Sequence, residues 1–318
     1  MFASFAKHLW QDRMAGRWKT HRGEQGILMI DLHLHTTCSD GRDTPEAVVQ
    51  SALLFDLRAI SITDHDTMAG HVRAQHTAKA EGYDLDIIPG IELSAVEGRS
   101  AVHILGYGVD PAHASFTAVL QDICMERHTR AQAIVERLQA MDVPLTMAAV
   151  EYTADGAPIT RAHIAEALVM NHHVGTYAEA FERYLSNDAP AFIPHGKLSP
   201  EEAIACIHDA GGIAVMAHPV LTRRDELVAG MVRHGLDGIE IIHPSHTPAS
   251  VRFYHNLAAK HGLIVTGGSD YHGRGRGSNL MGTLTAPMWM LGWLLRRIGE
   301  RRGEGAPKSF AESAPSVS

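Results

Sequence analysis

The chain predicts an α/β protein, a parallel sheet or barrel of about seven short strands alternating with helices. Three observations carry that expectation. Short apolar runs recur between stretches of helical periodicity, the signature of β-α-β alternation. Nearly every run ends in a cluster of histidine or carboxylate residues, which places polar groups at the carboxyl ends of the strands, where α/β folds build their sites. One long stretch, about Pro111 to Lys197, drops the alternation and reads as helices only.

The first strand contains Asp31-Leu-His-Leu-His35, where Leu32 and Leu34 alternate against His33 and His35, so the two imidazoles project from one face. A Thr/Ser turn to Asp40 follows. Thr44-Pro45-Glu46 then supplies a cap, a first-turn proline and a first-turn acid for a helix. Ala59 to Ile62 is a strand ending in Thr63-Asp64-His65-Asp66, and a helix follows to about Glu81. Leu85 to Ile88 is a strand, and Pro89-Gly90-Ile91-Glu92 is read as a turn out of it. Ala101 to Tyr107 is a strand containing His103.

The helical stretch opens with one long pattern from Ser115 to Met141. Shorter helices are expected at Thr146–Tyr152, Arg161–Met170 and Tyr177–Leu185. Alternation then resumes. Ile213 to Met216 runs into Ala217-His218-Pro219, Gly238 to Ile242 into His243-Pro244-Ser245-His246, and Leu263 to Thr266 into Gly268-Ser269-Asp270-Tyr271-His272. Ser199-Pro200 and Thr247-Pro248 repeat the cap chemistry of Thr44-Pro45. The apolar positions Met288, Leu291, Leu294, Leu295 and Ile298 predict a closing helix packed on the barrel.

Composition narrows the function. A chain of 318 residues with 45% apolar content builds a large core. The net charge of −8 lacks the basic footprint of a long-duplex nucleic-acid binder. A small phosphorylated ligand or short strand held by local arginines stays compatible with it. Three scattered cysteines without a CxxC pair point to a reducing compartment, and a cytoplasmic location is expected. No apolar run is long enough to span a membrane. Residues 1–28 are basic without a secretory apolar region and read as a disordered extension. Residues 301–318 read as a disordered tail. The expected division is therefore a barrel from 29–110 and 196–300, with 111–195 as a helical lid.

Collected together, the strand-end residues are His33, His35, Asp40, His65, Glu92, His103, His218, Asp270 and His272. Nine nitrogen and oxygen donors exceed one coordination shell and suit two or three divalent cations sharing a bridging carboxylate. With no thiolate among them, Mn, Fe or Zn fits better than Mg or Ca.

Taken in order, Asp31-Leu-His-Leu-His35, Thr63-Asp-His-Asp66, Gly90-Ile-Glu92, His103, Ala217-His-Pro219 and Gly268-Ser-Asp-Tyr-His272 resemble the successive motifs of the PHP (polymerase and histidinol phosphatase) superfamily. The resemblance spans roughly residues 29 to 285. It implies a distorted seven-stranded (β/α) barrel with a trinuclear metal centre at its carboxyl face. The implied sites are His33, His35, Glu92 and Asp270; Glu92, His103 and His218, with Glu92 bridging; and Asp40, His65 and His272. The implied chemistry is phosphoester hydrolysis by a metal-activated hydroxide, with His33, His35, Glu92, His218 and Asp270 at its centre.

The helical insertion resembles that of the bacterial branch acting on 3′,5′-nucleoside bisphosphates and on the 5′ end of short RNA. The matching segments are Arg127-His-Thr-Arg-Ala131, Ile159-Thr-Arg-Ala-His163 and Pro244-Ser-His-Thr-Pro248. That resemblance implies phosphate contacts from Arg130 and Arg161. Relatives often carry Gly-Arg directly after Ala-His-Pro, whereas this chain has Val220-Leu221-Thr222-Arg223, so Arg223 is the substitute candidate. His246 is a candidate phosphate contact, and His246 or His163 the candidate acid for the leaving oxygen. Asp64 and Asp66 are expected to orient metal-binding histidines. The expected partners are a small phosphorylated nucleotide or short oligoribonucleotide, with no obligatory protein partner. Two other readings stand beside this one: histidinol-phosphate or another small-molecule phosphatase, and a catalytically silent metal-binding module.

Overall fold

The computed structural model describes residues 29–194, 196–273 and 280–304. The extension expected at 1–28, and the expected tail beyond 304, lie outside the described residues.

Eight strands form one sheet. They are β1 (Met29–Leu34), β2 (Leu57–Ile62), β3 (Asp86–Glu97), β4 (Ser100–Tyr107), β5 (Ile213–Met216), β6 (Gly238–Ile242), β7 (Ile264–Gly267) and the two-residue β8 (Ala286–Pro287). Their order is β7-β6-β5-β4-β3-β2-β1-β8. The carboxyl end of β7 returns to β1: Leu34 bridges Tyr271, and the amide of His35 donates to the Tyr271 carbonyl at 2.9 Å. That contact curls the sheet into a nearly closed barrel.

Seven of these strands are the expected ones, and two features differ. The segment Pro89–Glu92 is not a turn. β3 runs straight through it to Glu97 and pairs antiparallel with β4 from Gly90↔Tyr107 to Glu97↔Ser100. β4 is also antiparallel to β5, while β1-β2-β3 and β5-β6-β7 are parallel. A hairpin thus replaces one helical crossover. β8 is too short to have left a periodic signal.

The helices follow the cap chemistry. α1 (Pro45–Leu54) starts on a Thr44 side chain that accepts from the Ala47 amide, and α2 (Ala69–Ala80) packs beside it. α3 (Ala114–Gln139), α4 (Met147–Ala154), α5 (Arg161–Met170) and α6 (Tyr177–Ala180) with a π-helical turn at Phe181–Leu185 make up the helical stretch. Buried Ile134, Leu138, Val150, Ile164 and Leu168 form an apolar cluster there that is separate from the barrel core. After it come α7 (Pro200–Asp209), the short α8 (Pro219–Thr222), α9 (Val228–Arg233), α10 (Pro248–His261) and α11 (Met288–Arg302).

α11 buries Met290, Leu291, Leu294 and Ile298 against the barrel core, as its apolar spacing predicts. It also corrects the expected tail boundary, because it continues through Arg302. Arg301 donates to the buried Asp237 carboxylate at 3.0 Å, and Arg302 donates to the Gly108 carbonyl. Those anchors hold the last turn where composition alone suggests disorder. No described helix is long and apolar enough to cross a membrane.

Candidate metal centre

Glu92 is the hub. It sits mid-β3, 1% exposed, and its backbone is locked to the end of β2: Asp66 N donates to Glu92 O and Glu92 N to Asp64 O. Five imidazoles converge on its carboxylate. Oε2 lies 3.3 Å from His33 Nε2, 3.2 Å from His35 Nε2 and 3.3 Å from His65 Nδ1. Oε1 lies 2.8 Å from His103 Nδ1 and 2.9 Å from His218 Nε2. Asp270 Oδ1 faces His33 and His35 Nε2 at 3.3 and 3.2 Å. Asp40 Oδ1 is 3.4 Å from His272 Nε2 and 3.9 Å from His35 Nδ1. All nine strand-end residues therefore meet in one place.

Donor atoms of three subsets lie within 4.8 Å of one another: His35, Asp40, His65 and His272; His33, His35 and Glu92; His65, Glu92 and His103. These overlap with, but do not copy, the partition the motifs imply. His35 reaches into the Asp40 group, and His65 reaches Glu92 as well as Asp40.

The electrostatics couple the carboxylates and imidazoles into one set. Burial by itself would raise the Glu92 carboxyl, yet His65, His103 and His33 hold it well below the carboxylate range. Burial is likewise overridden at Asp40 by His272 and His65, and at Asp270 by His272 and His33. Burial drives His65 down to about 3, while against burial Asp270 and Glu92 raise His35 to about 10. Both ring nitrogens of His35, and Nδ1 of His65, are buried without a well-formed hydrogen bond among the described residues. Buried polar nitrogens are nearly always satisfied. An imidazole lone pair aimed at clustered carboxylates in this way fits a divalent metal, and the donor set of imidazole and carboxylate without thiolate suits Mn, Fe or Zn.

Backbone strain marks the same residues. His218 has φ 24° and Asp270 φ 48°, conformations that L side chains rarely adopt. Such strain persists where surrounding contacts over-determine it, and it clusters at functional sites.

Neighbouring side chains orient these donors. Glu240, fully buried in β6, accepts from His33 Nδ1 at 2.9 Å and from the His218 amide at 2.8 Å. This turns His33 Nε2 toward Glu92. His243 Nε2 meets the outer oxygen of Asp270 at 3.1 Å. His272 Nδ1 donates to the Asp270 carbonyl at 2.9 Å, leaving Nε2 for Asp40. Sequence alone missed Glu240 because an acid inside Gly238–Ile242 looks like any strand residue. His243, next to an apolar strand end, followed the same rule as the other ligands and was detectable.

The two aspartates flanking His65 tie the site to its surroundings. Asp64 accepts from Thr36 N, Thr36 Oγ1 and Ser39 Oγ at 2.6–2.7 Å, which ties down the loop leading to Asp40. Asp66, at φ 55°, accepts Nε and Nη2 of Arg127 and the Ser94 amide.

A cleft opens beside the metal residues and runs beneath the helical stretch. Asp40, His65 and His103 line it, as do Arg127, Arg130 and Arg161. Counted to its open mouth, with the solvent in front of it included, it spans about 770 Å³. Arg127 is occupied by Asp66. Arg130 donates Nε to the Ile193 carbonyl, and Arg161 donates Nη1 to the Leu185 carbonyl and Asn187 Oδ1. Burial, then Arg161 and Arg127, pushes Arg130 down to about 9, and burial lowers Arg161 too. Guanidiniums under that pressure are relieved by an anion.

The other expected phosphate contacts fall elsewhere. Arg223 is exposed at the end of α8 with φ 55°, and neither it nor His246 lines the cleft. His246 Nδ1 donates to the Ile241 carbonyl at 2.8 Å and its Nε2 is buried. His163 Nδ1 accepts the Thr160 amide in a capping box, so that ring is engaged at the start of α5. Arg99, on the β3–β4 turn, lines the cleft and was not anticipated.

These features have counterparts in known proteins. A PHP domain matches residues 31–186. The 5′-3′ exoribonuclease Rnm of Escherichia coli (strain K12) is 34% identical over 250 residues, covering 77% of this chain and 85% of its own. The 3′,5′-nucleoside bisphosphate phosphatase of Chromobacterium violaceum is 32% identical over 272 residues, covering 82% and 95%. Among solved structures, a metal-dependent phosphoesterase from Bifidobacterium adolescentis matches with a TM-score of 0.77 at 34% identity, over 88% of this chain and 97% of that one. With the barrel, the histidine-carboxylate centre and relatives matched over most of their length, the chain belongs to the PHP family of metal-dependent phosphoesterases.

Proposed function

We propose that the chain hydrolyses phosphate esters of nucleotides, with 3′,5′-nucleoside bisphosphates as the main substrate class and short 5′-phosphorylated RNA as a second. The observation that carries this reading is the pairing of a nine-donor centre with an arginine-lined cleft that opens directly beside it. A substrate with two phosphates would place one at each. The relatives' substrates support the same chemical class.

Two or three divalent cations, Mn, Fe or Zn, would be held by His33, His35, Asp40, His65, Glu92, His103, His218, Asp270 and His272. Bound there, they would supply Lewis acidity, acidifying water toward neutral pH and neutralising phosphoryl charge. The chain's own residues do the rest. Glu92 presents both oxygens to separate imidazole sets and so suits a bridging role. Glu240 and His243 orient His33 and Asp270. Arg130 and Arg161 hold the phosphate that is not cleaved, and their fixed forks position it for in-line attack on the other. Residues 111–195 act as the lid that carries these arginines.

The test is a panel of adenosine 3′,5′-bisphosphate, histidinol phosphate and a short 5′-phosphorylated RNA, assayed with Mn²⁺ alongside elemental analysis. Preferential cleavage of the bisphosphate is expected. Full metal occupancy without cleavage of any of the three defeats the proposal. Glu92→Ala is expected to lose both metal and turnover.

A further inference from the structure

Part of the cleft wall is left unused by the metal chemistry: Tyr177, Phe181 and Phe192 line it, as does Asn187. All three rings are half-buried, so each keeps part of its surface facing the cleft. Tyr177 and Phe181 also pack on the apolar cluster of the helical stretch, with ring centroids 5.1 Å apart. Phe192 belongs to none of the apolar clusters among the described residues.

Arg161 links this wall to the phosphate site. Its guanidinium carbon lies 5.4 Å from the Phe192 centroid and 5.8 Å from the Phe181 centroid. Nη1 is held by the Leu185 carbonyl and by Asn187 Oδ1, so the planar group is fixed from one edge. Phe181 and Leu185 bound a π-helical turn, a local irregularity that occurs often at functional sites. The π turn places the Phe181 ring and the Leu185 carbonyl on the same guanidinium.

Aromatic faces beside an arginine plane are the surfaces on which nucleobases stack, without regard to base identity. A ring that packs in no core but lines a cleft leaves apolar area in water, and a stacked base removes it. The cleft lining offers a complement to each part of the ligand: metal donors for the scissile phosphate, Arg130 and Arg161 for the second phosphate, rings for the base. We propose that Phe192 and Phe181, braced by Arg161, form a nucleobase subsite that gives this enzyme its preference for nucleotides over base-free sugar phosphates. This subsite rests on the bisphosphate reading above and specifies which part of the substrate selects it.

The experiment compares kcat/KM for adenosine 3′,5′-bisphosphate with that for its abasic tetrahydrofuran 3,5-bisphosphate analogue, in the Mn²⁺-loaded wild type, Phe192→Ala and Phe192→Tyr. The wild type is expected to favour the base-bearing compound. Phe192→Ala is expected to cut that selectivity ratio about ten-fold, mostly through KM, within the range for loss of one stacked base. Phe192→Tyr keeps a ring face and is expected to keep the ratio. A ratio unchanged by Phe192→Ala, or a wild type that cleaves both compounds equally, overturns the subsite while leaving the bisphosphate reading intact. A wild type that cleaves neither removes the bisphosphate reading and the subsite with it.

Discussion

Arg127 lines the substrate cleft, and yet the structure gives it a different task from Arg130. Its Nε and Nη2 meet Asp66 Oδ2 at 2.7 and 2.5 Å, Nη2 also donates to Ser94 Oγ at 2.9 Å, and Nη1 donates to the Ile159 carbonyl at 3.1 Å. The two charged side chains are 4% and 0% exposed. Arg127 lies on α3, Asp66 and Ser94 on the barrel, and Ile159 two residues before Arg161. One side chain therefore clamps the helical stretch to the barrel and sets the start of α5.

Arg127→Met would leave the Asp66 carboxylate buried without its cation, and Asp66→Asn would leave the guanidinium without its anion. Breaking one side of a buried pair costs about 3–5 kcal/mol. Both changes remove the same interaction, so the double variant should cost less than the sum of the singles, by a coupling of roughly 0.5–3 kcal/mol. Urea unfolding of the three variants measures this, and hydrogen exchange over residues 114–194 should show the loss of protection first. Bisphosphate kcat/KM should fall alike in both singles, because Arg161 loses its anchor. Single losses under about 1 kcal/mol, or strictly additive ones, would refute the clamp. So would Asp66→Asn with full activity beside an inactive Arg127→Met, since that pattern belongs to a direct substrate contact.

Three further outcomes are expected. Glu240→Ala should weaken metal affinity about 10–100-fold, as for other residues that orient a ligand, and equilibrium dialysis against the metal reads it; unchanged affinity would exclude the role. Gly268→Ala should displace His33, because a Cβ there would lie 2.4 Å from the His33 amide nitrogen, and backbone cannot yield; wild-type metal content and melting temperature would contradict the close approach. His71 is 1% exposed, its Nδ1 has no hydrogen-bond partner among the described residues, and burial pushes it down to about 4. Protonation therefore favours the unfolded chain. Stability attributable to His71 is intact above about 6.5 and declines by up to roughly 1.4 kcal/mol per pH unit between there and about 4. His71→Phe should flatten that limb of the stability profile, and an unchanged slope would count against it.

Much of this protein was legible from local chemistry. Caps such as Thr44-Pro45 and Ser199-Pro200 put helix starts where the structure has them, because capping involves residues within one turn. His33 and His35 share a face because a strand repeats every two residues, and His65, His218, Asp270 and His272 follow strand ends that are recognisable by apolar runs, while Glu92 and His103 lie within strands. The sequence alone therefore determined the element alternation, the nine convergent donors and the helical stretch.

Tertiary structure decided what depends on distant partners. The β3–β4 hairpin runs through a proline-glycine pair that reads locally as a turn, and pairing with β4 overrides that propensity. Glu240 orients His33 across 207 positions, a separation no periodicity reports. Arg127 and Arg130 stand three residues apart on one helix, yet Arg127 meets the buried Asp66 while Arg130 donates to the Ile193 carbonyl. Arg223 and His246 matched expected motif positions, yet neither is among the residues that line the cleft. Which side chains carry chemistry depends on contacts made after the barrel closes, and closure is a long-range event.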